Sequence, residues 1–198
     1  MDEIVPGIWH WTVFHPGIKT DVSSYYLPAE RVLIDPMEPR DGLDWFDEHG
    51  PPTDVLLTNR HHYRSSARFA ERFGVTVHCV REGMHEFTGT TRVEPFEFGE
   101  ELPGTIVAHA VGAICPDETA LHIPAHQALA LADGAVRWEA GGPLAFVPDA
   151  FMDDPEETKE GLRESYRRLA KLDFQHLLLA HGEPLVGSGR EALAAFAG

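Results

Sequence analysis

Twelve histidines in 198 residues make imidazole chemistry, metal binding or proton transfer, the first question this sequence raises. The run Asn59-Arg60-His61-His62-Tyr63-Arg64 stands out because it directly follows Val55-Leu56-Leu57-Thr58, a short apolar segment of buried-strand type, and precedes a helical pattern. Side chains there are held rigidly at the mouth of a strand end. His122 and His126 are four apart, but Pro124 lies between them, so they do not share a helix face and a zinc site of the HExxH type is absent. His10, His15, His49, His78 and His85 have no carboxylate or histidine at a meaningful spacing. Cys79 and Cys115 lack CxxC spacing, and Gly187-Ser188-Gly189 lacks the GxSxG spacing of a nucleophile elbow.

The elements that must position this loop are legible in outline. Ile8 to Phe14, Ser23 to Leu27 and Arg31 to Ile34 read as a β-meander, the first turn marked by His15-Pro16-Gly17 and the last strand ending at Asp35-Pro36. Asp41 to His49 is helical in pattern, Val55 to Thr58 a strand, Ser65 to Phe73 a helix ending at Gly74, and Val75 to Val80 a further strand. Ala128 to Ala132 is an apolar strand ending at Asp133-Gly134, Asp154 to Lys171 a long amphipathic helix with an Asp-Pro start, and His176 to Ala180 a buried strand.

Two of these units follow one order. Val32-Leu33-Ile34-Asp35, helix, Val55-Leu56-Leu57-Thr58 and a loop with His61 is matched by Leu129-Ala130-Leu131-Ala132-Asp133, helix, Leu177-Leu178-Leu179-Ala180 and His181. The duplication predicts two related halves packed face to face, with Asp133, His61 and His181 gathered at strand ends, where ligand sites form.

The whole chain sets outer bounds. Its length and 43% hydrophobic content predict one domain over residues 1–198. The formal charge of -16 repels phosphate backbones and anionic lipids, which excludes nucleic acid and a membrane surface as expected partners. No basic segment leads into an apolar stretch at Met1-Asp2-Glu3-Ile4, so a cytoplasmic location is the expectation. Trp9, Trp11, Trp45 and Trp138 are candidates for core or for the surface of a homo-oligomer.

In this order of motifs the sequence resembles the metallo-β-lactamase superfamily. Ile4-Val5-Pro6-Gly7-Ile8-Trp9 looks like its opening strand, Ser24 to Leu27 and Val32 to Pro36 like its next strands, and Val55 to Thr58 like the lead into its metal loop. Leu129 to Asp133 resembles the strand delivering the bridging aspartate, and Leu178 to Glu183 the strand delivering the last histidine. The resemblance spans nearly the whole chain and implies an α/β fold, a four-layer αββα sandwich.

The resemblance also implies that the usual pair of metal sites is largely dismantled. Against the family loop T-H-x-H-x-D-H, Asn59 stands at the first histidine, His61 at the second, Tyr63 at the aspartate and Arg64 at the third histidine, with His62 beside them. Ala113 falls at the position of the later histidine, with His109 close enough to substitute. His61, Asp133 and His181 remain as residual ligands, fit for one weakly bound divalent ion, zinc or iron, or for none. Arg64 is then expected to pair with Asp133 in place of a cation. Two functions follow as expectations: a cleft that binds a small molecule or protein partner without classical metallohydrolase activity, or a hydrolase of an ester, thioester or lactone with an atypical ligand set. Tyr63, His62 or Arg64 would assist the second by donating hydrogen bonds to an oxyanion.

Overall fold

The computed structural model describes residues 1–88 and 92–198. Among these residues twelve strands form two sheets. The first runs β1 (Asp2–Val5), β2 (Ile8–His15), β3 (Thr20–Leu27), β4 (Val32–Ile34), β5 (Asp54–Leu56), β6 (Thr76–Val80), β7 (Val93–Phe96), each beside the next. Pairing is antiparallel from β1 to β4 and parallel from β4 to β7. The second has the order β12 (His176–Leu179), β11 (Ala128–Leu131), β10 (Thr119–Ile123), β9 (Ile106–Ala110), β8 (Glu101–Leu102). Only β11 and β12 are parallel.

Helices cover both outer faces. The layer of α1 (Trp45–Glu48) and α2 (Ser66–Phe73) packs Phe46 and Phe69 onto Tyr26, Leu33, Val55 and Val77 of the first sheet. On the second sheet, α3 (Pro155–Leu169) and α4 (Gly189–Ala197) pack Leu162, Tyr166 and Leu193 onto Leu129, Leu131, Leu177 and Leu179. Tyr25, Leu27, Ile34 and Leu56 meet Leu121, Ala130 and Leu178 between the sheets. This is the four-layer arrangement expected. Strand alternation produces it: Tyr25 and Leu27 turn inward while Tyr26 between them turns to the helices.

The two strand-helix-strand units fall where the duplication placed them, β4-α1-β5 in one sheet and β11-α3-β12 in the other, each closing a parallel pair. Local chemistry sets their limits. Asp154 caps α3 by accepting from the Glu157 amide at 3.1 Å, Pro155 opens it, and Leu162, Ser165, Tyr166 and Leu169 form the buried stripe. The first crossover helix is shorter than the predicted Asp41 to His49, because Gly42 sits at φ +82° in a turn closed by its amide on Pro39 O. Strands β7 to β10 lie in a stretch where the sequence reading placed none.

Three contacts sew the sheets together at one end. The Ser23 amide donates to Ala180 O at 2.9 Å, and the Thr119 amide to Thr58 O at 2.8 Å. The Tyr25 hydroxyl donates to Leu179 O at 2.7 Å while accepting from the Leu179 amide at 2.9 Å. Each joins a strand of one sheet to the end of a strand in the other, which ties the loops that follow β5 and β12 to the opposite sheet. No helix among the described residues is long and apolar enough to cross a membrane.

Candidate metal centre

Four parallel-strand ends deliver the site: Asp35 follows β4, Thr58 and Asn59 follow β5, Asp133 follows β11 and His181 follows β12. Beyond Asn59 the chain makes a tight 3-10 turn, Arg60–Tyr63, in which successive side chains diverge by about a third of a turn. His62 is the residue turned inward. Its Nε2 lies 3.1 Å from Asp133 Oδ1, and His181 Nε2 lies 2.9 Å from the same oxygen. Ligand atoms of His62, Asp133 and His181 all fall within 4.8 Å of one another, the one such group of three among the described residues.

A second layer holds these groups in place. Asp35 accepts the Thr58 amide at 2.9 Å, the Thr58 hydroxyl at 2.5 Å and His62 Nδ1 at 2.8 Å. The one Thr58 hydroxyl proton goes to Asp35, so the 2.9 Å contact between Thr58 Oγ1 and His62 Nδ1 needs its proton on the ring. The tautomer is thereby fixed: Nδ1 carries hydrogen, and Nε2 faces Asp133. Asn59 Nδ2 donates to the other Asp133 oxygen, Oδ2, at 2.8 Å. The Asp133 side chain keeps 27% of its exposure, so the cluster opens to solvent there, whereas the His62 and Asp35 side chains are sealed.

The electrostatics follow from this packing. Burial disfavours a charged His62, yet the charges of Asp133 and Asp35 on either side prevail and raise its pKa to about 9. Burial also opposes ionisation of Asp35 and Asp133, but the imidazoles, with their hydrogen bonds, hold both carboxyls below the usual range. Glu118 differs: burial, reinforced by the charge of Asp133, pushes its carboxyl up to about 7.

Three expectations for the loop change. His61 is not at the site; it is exposed on the 3-10 turn, and His62 takes the place assigned to it, because the turn displaces the register of an extended motif by one residue. Tyr63 does not line the cluster either. It turns to the outer helical layer, against Phe87 at 5.6 Å between ring centres, and borders a cavity of about 410 Å³ with Ala67, Ala70 and Thr76. Arg64 does not pair with Asp133. Its Nη1 donates to Ser23 O at 2.6 Å and Asp35 O at 2.8 Å, reaching them from a backbone at φ +43°, a conformation that costs a non-glycine residue of order 1 kcal/mol or more. Its charge still acts on Asp35 and Asp133.

Neither Ala113 nor His109 reaches the cluster. Ala113 stands away from the cluster, in a groove of about 370 Å³ with Asp154, Glu157 and Gly161 of the α3 start. His109 faces the helical side of the second sheet, 6.1 Å from the His122 ring, because alternation along β9 sends the neighbouring Ala108 into the inter-sheet core. Asn59, His62, Asp133 and His181 are thus the expected residues that the structure brings together. Asp35, Thr58 and Glu118 were not anticipated as site residues. The signal for Asp35 was the duplication itself, in which it ends β4 as Asp133 follows β11.

The donor set suits one metal ion. Two imidazole nitrogens and one carboxylate oxygen form a two-histidine, one-carboxylate set, and Asp35 behind His62 is the carboxylate partner such a ligand ordinarily has. Asn59 Oδ1, Arg64 Nη2 and His181 Nδ1 are buried beside it without a hydrogen-bond partner among the described residues, a polar excess that a bound group could relieve. Burial pushes the Cys115 and Cys79 thiols up, Cys79 to about 12, which disfavours their thiolate forms.

Comparisons agree on the architecture. No protein-family model matches the sequence, and no curated protein does. Among solved structures, a metallo-β-lactamase family protein from Thermus thermophilus superposes with a TM-score of 0.68 at 18% identity, over 98% of this chain and 79% of its own. TTHA1623, solved in a di-iron-bound form, gives 0.67 at 22% identity over 89% and 94%. A metallo-β-lactamase from Pontibacter korlensis gives 0.71 at 15% identity over 99% and 97%. The chain has the metallo-β-lactamase fold.

Proposed function

We propose that the protein holds one divalent metal ion at His62, Asp133 and His181 and hydrolyses an ester, thioester or lactone there. The observation that carries this reading is the convergence of two histidine Nε2 atoms on one oxygen of Asp133, at 2.9 and 3.1 Å. An ion at that point would supply Lewis-acid polarisation of the scissile carbonyl. The chain's own residues prepare the place. Asp35 fixes the ring of His62 so that Nε2 faces inward, and Asn59 holds Asp133 Oδ2 so that Oδ1 faces both rings. The like fold of TTHA1623, solved in a di-iron-bound form, supports a metal-binding reading of this fold. The net charge of -16 disfavours phosphate-rich polymers as substrates.

A second reading rests on a different observation. His62 lies between Asp35 and Asp133 with its pKa raised to about 9, so a doubly protonated ring satisfies both carboxylates without any ion. The cleft would then bind a small molecule or partner without turnover. Hydrolysis of a panel of thioesters and lactones, with and without zinc, manganese or iron, separates the two. Chelator-sensitive turnover that disappears in His62→Gln and Asp133→Asn is the expected result; an inert panel under all metals counts for the second reading.

A further inference from the structure

Glu118 is a buried carboxylate beside the centre that the reading above leaves unused. It stands just before β10 at 1% exposure, and its Oε1 accepts from the Gly134 amide, next in sequence to Asp133, at 2.8 Å. Its Oε2 accepts from the Ile114 amide at 3.4 Å. Asp133 and His62 act on it electrostatically, as do the Cys115 thiol and the Tyr166 hydroxyl, the latter packed against the same Gly134. Among the described residues Glu118 has no ion pair.

A buried carboxylate without a cation is costly, and one beside a second carboxylate more so. Among the described residues neither Asp133 nor Glu118 pairs with an arginine or a lysine, so the two carboxylates stand side by side with only histidine rings paired to Asp133. Glu118 also holds the backbone on which Asp133 sits, so its carboxylate acts on the ligand through both field and position.

We propose that Glu118 is a positioning residue of the metal centre, a buried carboxylate behind Asp133 that draws a divalent ion to His62, Asp133 and His181 without touching it. This rests on the mononuclear reading. Zinc affinity measured at pH 8 by competition with a chromophoric chelator tests it, alongside thermal melting of the chelator-treated protein. Glu118→Gln keeps a carbonyl for the Gly134 amide and loses the charge. It is expected to bind zinc about 10- to 100-fold more weakly than wild type, while its metal-free form melts no lower. Glu118→Asp keeps the charge and is expected to bind zinc more tightly than Glu118→Gln. Equal affinity of Glu118→Gln and wild type overturns the proposal, as does a weaker affinity accompanied by a lower metal-free melting temperature, or a Glu118→Asp no tighter than the glutamine variant. A wild type that binds no zinc removes the mononuclear reading and this one with it, an outcome distinct from equal binding by both proteins.

Discussion

His62 Nδ1 lies 2.8 Å from Asp35 Oδ2, and that contact decides which nitrogen meets Asp133. The two residues come from separate strand ends, β4 and the turn after β5, which the parallel pairing of those strands brings side by side. Asp35 is held in turn by the Thr58 amide and hydroxyl, so the orientation of one imidazole depends on residues as far apart in sequence as 35 and 62.

Asp35→Asn tests this orientation. The amide retains bulk but loses the charge and half of its acceptor capacity toward Thr58 and His62. Metal affinity is expected to fall about 10- to 100-fold, in line with other losses of a carboxylate behind a histidine ligand. An affinity equal to wild type by equilibrium dialysis means that Asp35 does not set the ligand.

Protonation of His62 gives the metal-free protein a distinct pH dependence. Its folded pKa of about 9 lies above the ordinary histidine value near 6.5, so the associated stability is fully present below about 6.5 and lost as pH rises through 9. Metal-free wild type should therefore melt progressively lower between about pH 6.5 and 9, and His62→Gln should lack that part of the slope. Zinc affinity should climb over the same interval, because the ion displaces the proton from Nε2. Parallel melting curves for the two proteins contradict the raised pKa.

Much of this arrangement was legible in the sequence, for identifiable reasons. Apolar runs ending in Asp35, Thr58, Asp133 and the Ala180-His181 pair announced the parallel strands, since strands buried on both faces read as continuous hydrophobic segments. Strands β7 to β10 were missed because Val93–Phe96 contains a proline and Thr119–Ile123 a histidine, which breaks that signal. The choice of His61 over His62 failed for a geometric reason: spacing carried over from an extended motif does not survive a 3-10 turn. Glu118 carried no local mark, because its role arises from burial beside Asp133, a neighbour in space and not in sequence.

Gly182 illustrates how tightly the last ligand is set. A Cβ there would lie 1.9 Å from Arg137 O, and the residue sits at φ +92°. Gly182→Ala must displace either the 137 loop or His181, whose carbonyl accepts the Arg137 amide at 3.1 Å. Destabilisation on the order of 3 kcal/mol is expected in urea unfolding. A midpoint within error of wild type shows that the loop yields freely.

Tyr25→Phe probes the seam between the sheets. The hydroxyl both donates to and accepts from the backbone of Leu179, two residues before His181, and its loss leaves two buried backbone groups unsatisfied. A cost of about 1–3 kcal/mol is expected. Urea unfolding of Tyr25→Phe indistinguishable from wild type indicates that water replaces the hydroxyl.

The most direct measurement is the metal content of untagged protein, by elemental analysis after exhaustive dialysis against zinc- or iron-containing buffer. One equivalent per chain in wild type, and none in Asp133→Asn or His62→Gln, is the expected result. A wild type that retains no metal, or holds two equivalents, contradicts a mononuclear centre at His62, Asp133 and His181.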